Sequence, residues 1–372
     1  MPKKVLLVLI SLFLLLITSG TVFLILSYKN IIVKPNLPKK ILVSSQLIPT
    51  PDPFRPYSIL LMGYGGGKHE GGLLTDSMIV ALINPRANQI SLISIPRDLW
   101  VPIPISQSVT KNFKINAAFA IGSDDYKYPD KNAEFKGEAG GGQLAKSVVS
   151  QVVGFNIDYF VSLDFQGFIK FIDILGGVNV PVQKSFTDNL YPIENDIVDN
   201  CGKTDEEIKA LTATLSGTKL EEQFPCRYEH LQFTKGPQLM NGETALKYAR
   251  SRHSLEDGGD YNRANRQRLL IEAVKDQVIN INFIPKIIPT IKTLSYHLKT
   301  DIDLTKLEEL ISQSQEILRY KINSIALTDQ NVLVDDKSSD GQFILVPKDG
   351  QTNWQIVHQY ILNPSTTFPA VN

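Results

Sequence analysis

Residues 77–95 have the sequence SMIVALINPRANQISLISI, two apolar runs joined by a short polar turn. The runs 77–83 and 90–95 are rich in Ile, Leu and Val, a composition typical of buried strands. The residues between them include Asn84, Pro85 and Asn88, which favour a turn. The spacing therefore predicts a β-hairpin.

Further elements extend from this hairpin in both directions along the chain. Apolar runs predict strands at 58–62, 159–163, 178–182 and 322–327. Apolar residues at spacings of three and four predict helices at 143–153, 165–175, 267–279, 287–298, 304–318 and 351–362. Asp164 is the expected N-cap of the helix 165–175, Gly176 and Gly177 are its expected end, and Trp354 is a candidate core residue. The chain is therefore predicted to be an α/β protein with a mixed sheet.

The composition bounds the class of protein. The chain has 372 residues, of which 43% are hydrophobic and 20% are charged, enough to bury a substantial core. Its 38 basic and 38 acidic residues give no net charge, which argues against a general nucleic-acid binder. Any contact with a polyanion must therefore be local.

The first 56 residues predict a membrane anchor and a spacer. No charged residue occurs from Val5 to Leu26, a run long enough to cross a hydrocarbon core of about 30 Å as a helix. We predict a cytoplasmic segment at 1–4, a transmembrane helix at 5–28 and a proline-rich extracytoplasmic tether at 29–56. A cleaved signal peptide is the alternative, because small residues occur at 18–20.

Cys201 and Cys226 are the only cysteines in the chain. They lie 25 positions apart within a polar segment, about 185–235, that follows the predicted strand 178–182. In an exported domain such a pair predicts a disulfide that closes an insertion. The pair and the anchor together predict that the body of the protein lies outside the cytoplasmic membrane.

The stretch 248–253, YARSRH, and the stretch 260–268, DYNRANRQR, gather five arginines in a chain without net charge. These are Arg250, Arg252, Arg263, Arg266 and Arg268. If the backbone is extended from 248 to 252, Arg250 and Arg252 project to the same side. If a helix begins near Arg263, this residue shares one face with Arg266 and Gln267. Because guanidinium groups bind phosphate oxygens bidentately, the segment predicts an anion site. The alternative is a solvated basic helix start whose arginines pair with Asp257 and Asp260.

Four motifs precede the arginines in a fixed order. They are SILLMG at 58–63, LTDSMI at 74–79, SLISIPRD at 91–98 and KINAA at 114–118. A Gly-Gly-Val at 176–178 and GETAL at 242–246 lead into the arginine segment. Taken in order, these motifs resemble the LytR-CpsA-Psr family of bacterial cell-envelope proteins over roughly residues 57–279.

The resemblance implies a three-layer α/β/α domain at 57–283 with a central mixed sheet, on which a C-terminal α/β extension, 284–372, packs. It implies a transferase that moves a glycan phosphate from an undecaprenyl-pyrophosphate carrier to peptidoglycan or another cell-surface acceptor, assisted by Mg²⁺ or Mn²⁺. Such a transfer requires cations around the group that accumulates negative charge. The alternatives are a polyprenyl-pyrophosphate pyrophosphatase, for which water is the acceptor, and a non-catalytic factor that binds the carrier or the polymer.

The resemblance also implies roles for individual residues. Those implied to act in catalysis are Arg97, Asp98, Arg250, Arg252, Asp260 and Arg263. Those implied to bind the pyrophosphate are Lys114, Arg266 and Gln267. Asp76 is the implied metal ligand, since hard oxygen ligands suit Mg²⁺. Asp98 and Asp260 either orient an arginine or accept the proton of the acceptor hydroxyl. Alternatively, Asp98 caps the turn after Pro96, and Asp260 caps the helix at Arg263.

The segment 63–72, GYGGGKHEGG, departs from the family pattern. Many members carry an aspartate and an arginine shortly after the first strand, and an arginine at the position of Leu74. Glu70 is the expected replacement for the missing metal carboxylate, and Lys68 for the missing phosphate cation. Alternatively, the glycines form a nest of backbone N–H groups around phosphate.

Overall fold

The computed structural model describes residues 31–35, 52, 54–67, 71–193, 198–280, 290, 293–317 and 319–364. The predicted transmembrane helix at 5–28 and most of the predicted tether lie outside these residues. None of the helices in the described part of the chain is both long and apolar enough to cross a bilayer.

The described residues contain the following strands and helices. The strands are β1 (Tyr57–Tyr64), β2 (Thr75–Asn84), β3 (Gln89–Ile95), β4 (Trp100–Pro104), β5 (Thr110–Lys114), β6 (Tyr159–Asp164), β7 (Val178–Val182), β8 (Phe186–Pro192), β9 (Tyr228–Phe233), β10 (Gly236–Met240), β11 (Leu298–Thr300), β12 (Lys321–Ala326), β13 (Leu333–Lys337) and β14 (Phe343–Pro347). The α-helices are Ala117–Ser123, Gly140–Val153, Phe165–Ile174, Asp205–Thr214, Thr218–Glu221, Gly242–Arg250, Gly259–Asn280, Leu304–Ser312, Ser314–Ile317 and Gln355–Leu362. Contacts divide the chain into two units: unit 1 runs to Ile174 and resumes at Val278, and unit 2 is Leu175–Gln277.

The largest sheet of unit 1 has six strands in the order β11-β6-β1-β2-β3-β12. Strand β1 pairs with β2, and β2 with β3, in antiparallel register, whereas β1 pairs with β6 and β3 with β12 in parallel register. The predicted mixed sheet is therefore confirmed. The two edge strands come from the part of the chain after residue 284.

The predicted hairpin is the pair β2 and β3. Its turn is a 3-10 helix over Pro85–Ala87, for which the Asn84 side chain accepts a hydrogen bond from the Ala87 amide at 3.2 Å. Asn88 closes the turn at φ 49°, a left-handed conformation that Asn tolerates better than most residues. Asparagine at both ends therefore sets the register of the two strands.

The helix Gly140–Val153 packs its apolar face into the core of unit 1. It begins with three consecutive glycines, and a Cβ on Gly140 would lie 2.5 Å from the Phe135 carbonyl oxygen. A Cβ on Gly142 would overlap the ring of Phe160 in β6. The glycines therefore let this helix approach its neighbours more closely than alanines would.

Lys131 is a charged side chain that is completely buried. Its ammonium donates to the main-chain oxygens of Ile121 and Gly122 at 2.6 and 2.7 Å, at the end of the helix Ala117–Ser123. It also lies 3.2 Å from Asp125. Burial lowers the pKa of Lys131, while its contact with Asp125 acts in the opposite direction. The lysine therefore acts as an internal C-cap.

Three predicted helices in the last third of the chain need correction. The helix 287–298 cannot extend to Leu298, because 298–300 form β11 on the edge of β6. The helix 304–318 is broken at Gln313, where the hydroxyls of Ser312 and Ser314 donate to main-chain carbonyls at 2.7 Å and compete with the helical bonds. The last helix begins only at Gln355, and Trp354, 9% exposed, is part of the core as predicted.

A short N-terminal segment packs on unit 1. Ile31 and Val33 are 6% and 2% exposed, and the amide of Val33 donates to the Thr300 carbonyl at 2.9 Å. Ile32 forms a parallel bridge with Thr300. This part of the predicted tether 29–56 therefore lies along β11.

Unit 2 contains two small antiparallel sheets, β7 with β10 and β8 with β9. Residues 198–227, between β8 and β9, include the helix Asp205–Thr214, which starts with a capping box formed by Thr204 and Glu207. Cys201 and Cys226 are joined in the predicted disulfide, with their Cα atoms 5.6 Å apart. The segment predicted as a polar insertion therefore contains regular structure as well as the disulfide.

Candidate functional site

The carboxyl ends of β1 and β6 lie at one edge of the central sheet, because the two strands are parallel. The last residue of β1, Tyr64, pairs with Asp164 on one side and with Thr75 on the other. Strand β2 runs antiparallel, so its first residues, Thr75 and Asp76, lie at this same edge. Arg97 follows the end of β3, which is antiparallel to β2. This edge therefore collects predicted site residues from separate motifs.

Asp76, Arg97, Asp98 and Lys114 form one chain of ion pairs. Arg97 Nη1 lies 2.6 Å from Asp76 Oδ1, and Arg97 Nε lies 3.6 Å from Asp98 Oδ2. Lys114 Nζ lies 2.7 Å from Asp98 Oδ1. The side chains of Asp76 and Arg97 are 29% and 37% exposed, against 11% for Asp98. The structure thus brings four predicted residues together, and the pair Asp76 and Arg97 is the part most accessible to a dissolved ligand.

A second charged cluster at this edge was not among the predicted site residues. Asp164 caps the helix Phe165–Ile174 through the Gly167 amide at 2.7 Å, as predicted. Both of its carboxylate oxygens also lie 2.9 Å from His297 Nδ1, and His297 Nε2 lies 2.7 Å from Lys170 Nζ. Asp164 and His297 are 133 positions apart and meet because β11 pairs with β6. No local sequence signal predicts such a contact.

The loop after β1 begins with Gly65. Gly66 and Gly67 have φ 77° and 78°, which glycine adopts without steric cost. The amide of Gly66 donates to the Gly72 carbonyl at 2.8 Å, and a Cβ on Gly66 would lie 3.1 Å from the Asp164 Cβ. Lys68 and Glu70 lie outside the described residues. Their expected roles, and the glycine nest, stay predictions.

In unit 2, the first arginine of the segment 248–253 ends a helix. An extended backbone over 248–252, the condition for placing Arg250 and Arg252 on one side, is not what the structure shows. Instead, the helix Gly242–Arg250 is capped by the Asn241 side chain and buries Ala245 and Tyr248. Arg250 Nη1 lies 3.3 Å from the Tyr191 hydroxyl, with the guanidinium 5.7 Å from the ring centre. The main chain leaves the helix only after Arg250.

Arg252 lies in the turn that follows, and its main chain is held by a buried carboxylate. Asp188 Oδ2 accepts hydrogen bonds from the amides of Arg252 and His253 at 3.0 and 3.2 Å and from the Ser251 hydroxyl at 2.6 Å. Asp188 is completely buried. Burial raises the pKa of Asp188, but these hydrogen bonds and one from the Leu190 amide lower it, so that the net shift is downward.

The helix predicted at 267–279 begins earlier, at Gly259. Asp260 is therefore in the first turn of the helix, and the predicted N-cap role for it at Arg263 is wrong. Arg263 and Arg266 are 7% and 1% exposed, so neither is part of a solvated helix face. Gln267 Nε2 lies 3.5 Å from the Ala249 carbonyl oxygen.

Arg266 is bound by the protein itself. Its Nε donates to the Tyr248 carbonyl at 3.1 Å, and Nη1 donates to the carbonyl and the carboxylate of Asp257 at 2.5 and 2.6 Å. Its Nη2 donates to the Ser251 carbonyl. An ion pair between an arginine and Asp257 was part of the alternative interpretation, a basic helix start without an anion site. This ion pair is present for Arg266.

Several described side chains have donor atoms of the kind that bind metals. Among the described residues, the one group of three close metal-binding side chains is Asp199, Cys201 and Cys226, and both sulfurs are in the disulfide. Asp76 offers a carboxylate, and Mg²⁺ commonly takes one or two protein carboxylates and completes its shell with water and substrate phosphates. Asp76 therefore fits Mg²⁺ that arrives with a phosphate ligand.

Comparisons with known proteins identify the family of the chain. The family model LytR_cpsA_psr matches residues 37–353. A protein of Enterococcus faecalis named polyisoprenyl-teichoic acid–peptidoglycan teichoic acid transferase TagU is 26% identical over 258 residues, 68% of this chain and 64% of that protein. The TagV transferase of Bacillus subtilis, named likewise, is 27% identical over 277 residues, 74% of this chain and 57% of that protein. The chain thus matches less than two thirds of the length of these two relatives.

The fold is shared with a solved structure. The crystal structure of B. subtilis TagV superposes with a TM-score of 0.52 at 24% identity, covering 85% of this chain and 99% of that one. At this identity the likeness shows the fold, a mixed α/β architecture with a central mixed sheet. Because the family model spans most of the chain, the protein belongs to the LytR-CpsA-Psr family.

Proposed function

We propose that this protein is a membrane-anchored transferase that moves a glycan phosphate from an undecaprenyl-pyrophosphate carrier to peptidoglycan or another cell-surface acceptor. One observation carries the proposal: the accessible guanidinium of Arg97 is held between the carboxylates of Asp76 and Asp98 at the edge of the sheet. The names of the related transferases support the same reaction class.

The chemistry requires charge stabilisation and one proton acceptor. The hydroxyl oxygen of the acceptor forms a bond to the phosphorus that carries the glycan, the bond from this phosphorus to the bridging oxygen breaks, and polyprenyl phosphate leaves. Arg97 binds the phosphate oxygens that gain charge. Asp98, held by Lys114 at 2.7 Å, accepts the proton of the hydroxyl.

The donor set also fits a divalent cation. Asp76 would hold Mg²⁺ or Mn²⁺, which would neutralise charge on the phosphates when bound. Asp76 is paired with Arg97 in the structure, so the cation and the guanidinium compete for the same carboxylate. With the Asp76 carboxylate engaged by such a cation, the Arg97 guanidinium would turn to the phosphate oxygens instead.

The proposal includes the placement of the protein in the cell. The apolar segment 5–28 anchors a three-layer α/β/α domain to the outer face of the cytoplasmic membrane, where carrier and wall polymer meet. The uncharged run and the disulfide between Cys201 and Cys226 support this placement. A C-terminal reporter that works only in the cytoplasm should therefore be inactive.

The test is incubation of the full-length protein in detergent with a lipid-pyrophosphate glycan, with and without Mg²⁺ and wall oligosaccharide. Glycan phosphate linked to the oligosaccharide is the expected product. Free phosphorylated glycan in equal yield with and without oligosaccharide would replace the proposal by a pyrophosphatase. Binding of the lipid without turnover would replace it by a carrier-binding assembly factor.

A further inference from the structure

Strand β8 supports the arginine segment of unit 2 at three successive points. The ring of Phe186 lies 4.9 Å from the Arg266 guanidinium, Asp188 binds the main chain of 251–253, and Tyr191 contacts Arg250. The pairing of β8 with β9 shifts register between Asp188 and Tyr191, where the Leu190 amide turns back to Asp188 Oδ1 at 3.0 Å. Such a bulge re-aims side chains, here toward the arginines.

The turn 251–257 is held from two sides. On one side, Asp188 accepts from the Ser251 hydroxyl and two consecutive amides. On the other, all three guanidinium nitrogens of Arg266 donate to the carbonyls of Tyr248, Ser251 and Asp257 or to the Asp257 carboxylate. Fixed backbone of this kind reduces the conformational entropy that a bound anion would otherwise have to remove.

We propose, building on the function proposed above, that Asp188 and Arg266 are positioning residues of an anion site formed by Arg250 and Arg252. They fix the main chain from which Arg250 and Arg252 reach an anion, and Arg266 does not itself bind that anion. The family resemblance gives Arg266 the opposite role, that of a pyrophosphate ligand. The two roles differ in the amide exchange that they predict for Arg266→Lys, a substitution that keeps the charge: only the positioning role predicts faster exchange at 251–257.

The first measurement is amide hydrogen exchange across 251–257 in the full-length protein. Asp188→Asn should accelerate exchange at Arg252 and His253 by about tenfold or more, because the hydrogen bonds to a charged acceptor are weakened. Glu206→Gln, in an exposed helix of the same unit, is the matched control and should change nothing. If Asp188→Asn fails to fold, Ser251→Ala removes one of the same bonds and should shift exchange in the same direction by a smaller factor.

The second measurement is the affinity for inorganic pyrophosphate. Arg266→Lys keeps the charge but offers one nitrogen in place of three, so a positioning role predicts weakening by about tenfold or more, accompanied by faster exchange at 251–257. Asp188→Asn alone should weaken the binding of pyrophosphate. Combined with Arg252→Ala, it should weaken binding little further, since both substitutions act through the Arg252 guanidinium.

Three results would overturn the inference: unchanged exchange in the Asp188 and Ser251 variants, wild-type affinity of Arg266→Lys, or full additivity of Asp188→Asn and Arg252→Ala. If the wild-type protein transfers no glycan phosphate yet binds pyrophosphate, the proposed function fails and this inference stands. If it binds no pyrophosphate, the arginines do not form an anion site and the inference fails too.

Discussion

The carboxylate of Asp76 and the guanidinium of Arg97 form an ion pair with 2.6 Å between Oδ1 and Nη1. The predicted metal ligand and a predicted catalytic arginine are therefore partners in the same structure. Any cation that binds Asp76 must share the carboxylate with Arg97 or displace it. Binding of metal and binding of phosphate are then coupled, and each should strengthen the other.

Asp76→Asn should abolish the dependence of turnover on Mg²⁺ and lower turnover by about a hundredfold, because the variant would no longer hold a cation beside the developing negative charge. The side chain is partly exposed, so the melting temperature should change little. Asp329→Asn, at an exposed site in the same unit, is the control. A Mg²⁺ titration of initial rates is the measurement. A variant with wild-type rates and the same half-saturating Mg²⁺ would remove Asp76 from the metal site.

Removal of the disulfide should destabilise unit 2. The bridge closes a loop with a sequence separation of 25, for which the loop-entropy model gives about 3.5 kcal/mol. The double variant Cys201→Ser, Cys226→Ser should become sensitive to proteases between 198 and 227 at lower temperature than the wild type. Reduction of the wild type should reproduce this effect and leave the double variant unchanged. Equal protease resistance with and without reductant would contradict the expectation.

Gly142→Ala tests whether packing or helix propensity has the larger effect on the free energy of unfolding at this position. In an open helix the change would stabilise the protein by about 1 kcal/mol. Here the added methyl group overlaps the Phe160 ring, and overpacking of this kind costs about 1–3 kcal/mol. We expect net destabilisation in urea unfolding, partly relieved when Phe160→Leu is added. Stabilisation by the single change would show that the two elements separate easily.

Alkaline pH should destabilise the protein through its buried tyrosines. Burial, the largest cause in each case, raises the pKa of Tyr57, Tyr64 and Tyr248 to about 12. An unfolded tyrosine ionises near pH 10, so between about pH 10 and about pH 12 the unfolded chain loses protons that the folded chain keeps. The free energy of unfolding should fall there by up to about 1.4 kcal/mol per pH unit for each tyrosine, and be unaffected by these groups below about pH 9.

Urea unfolding at about pH 9 and about pH 11 measures this effect. Tyr64→Phe should reduce the difference between the two values by the share of one tyrosine. The same difference in the variant and the wild type would show that the Tyr64 hydroxyl ionises as readily in the folded protein as in the unfolded chain.

The hairpin and the Asp164 cap were predictable because each depends on residues close in sequence. The α/β class with a mixed sheet was predictable because the apolar spacing of each strand and helix is a local pattern. Strand β11 was not, since three residues after a helical pattern become a strand only by pairing with β6. Strand β8 was hidden in a polar segment because Thr187, Asp188 and Asn189 interrupt its apolar residues, and Asp188 is buried although it is charged. The burial of Arg266 was also unpredictable, since three of its four acceptors are main-chain oxygens that a sequence motif does not show.

The pairing of β12 with β3 has a consequence for how the protein acquires its structure. Ile322 lies opposite Ile90, and the whole of β12 is needed to cover that side of β3. Synthesis must therefore pass residue 326 before the central sheet is complete. Parallel pairing over such a separation is slow, because a long loop must close before any contact is gained. The main-chain N–H and C=O groups on that edge of β3 stay unpaired during this time, so an incomplete chain is open to pairing with strands of other chains until β12 is in place.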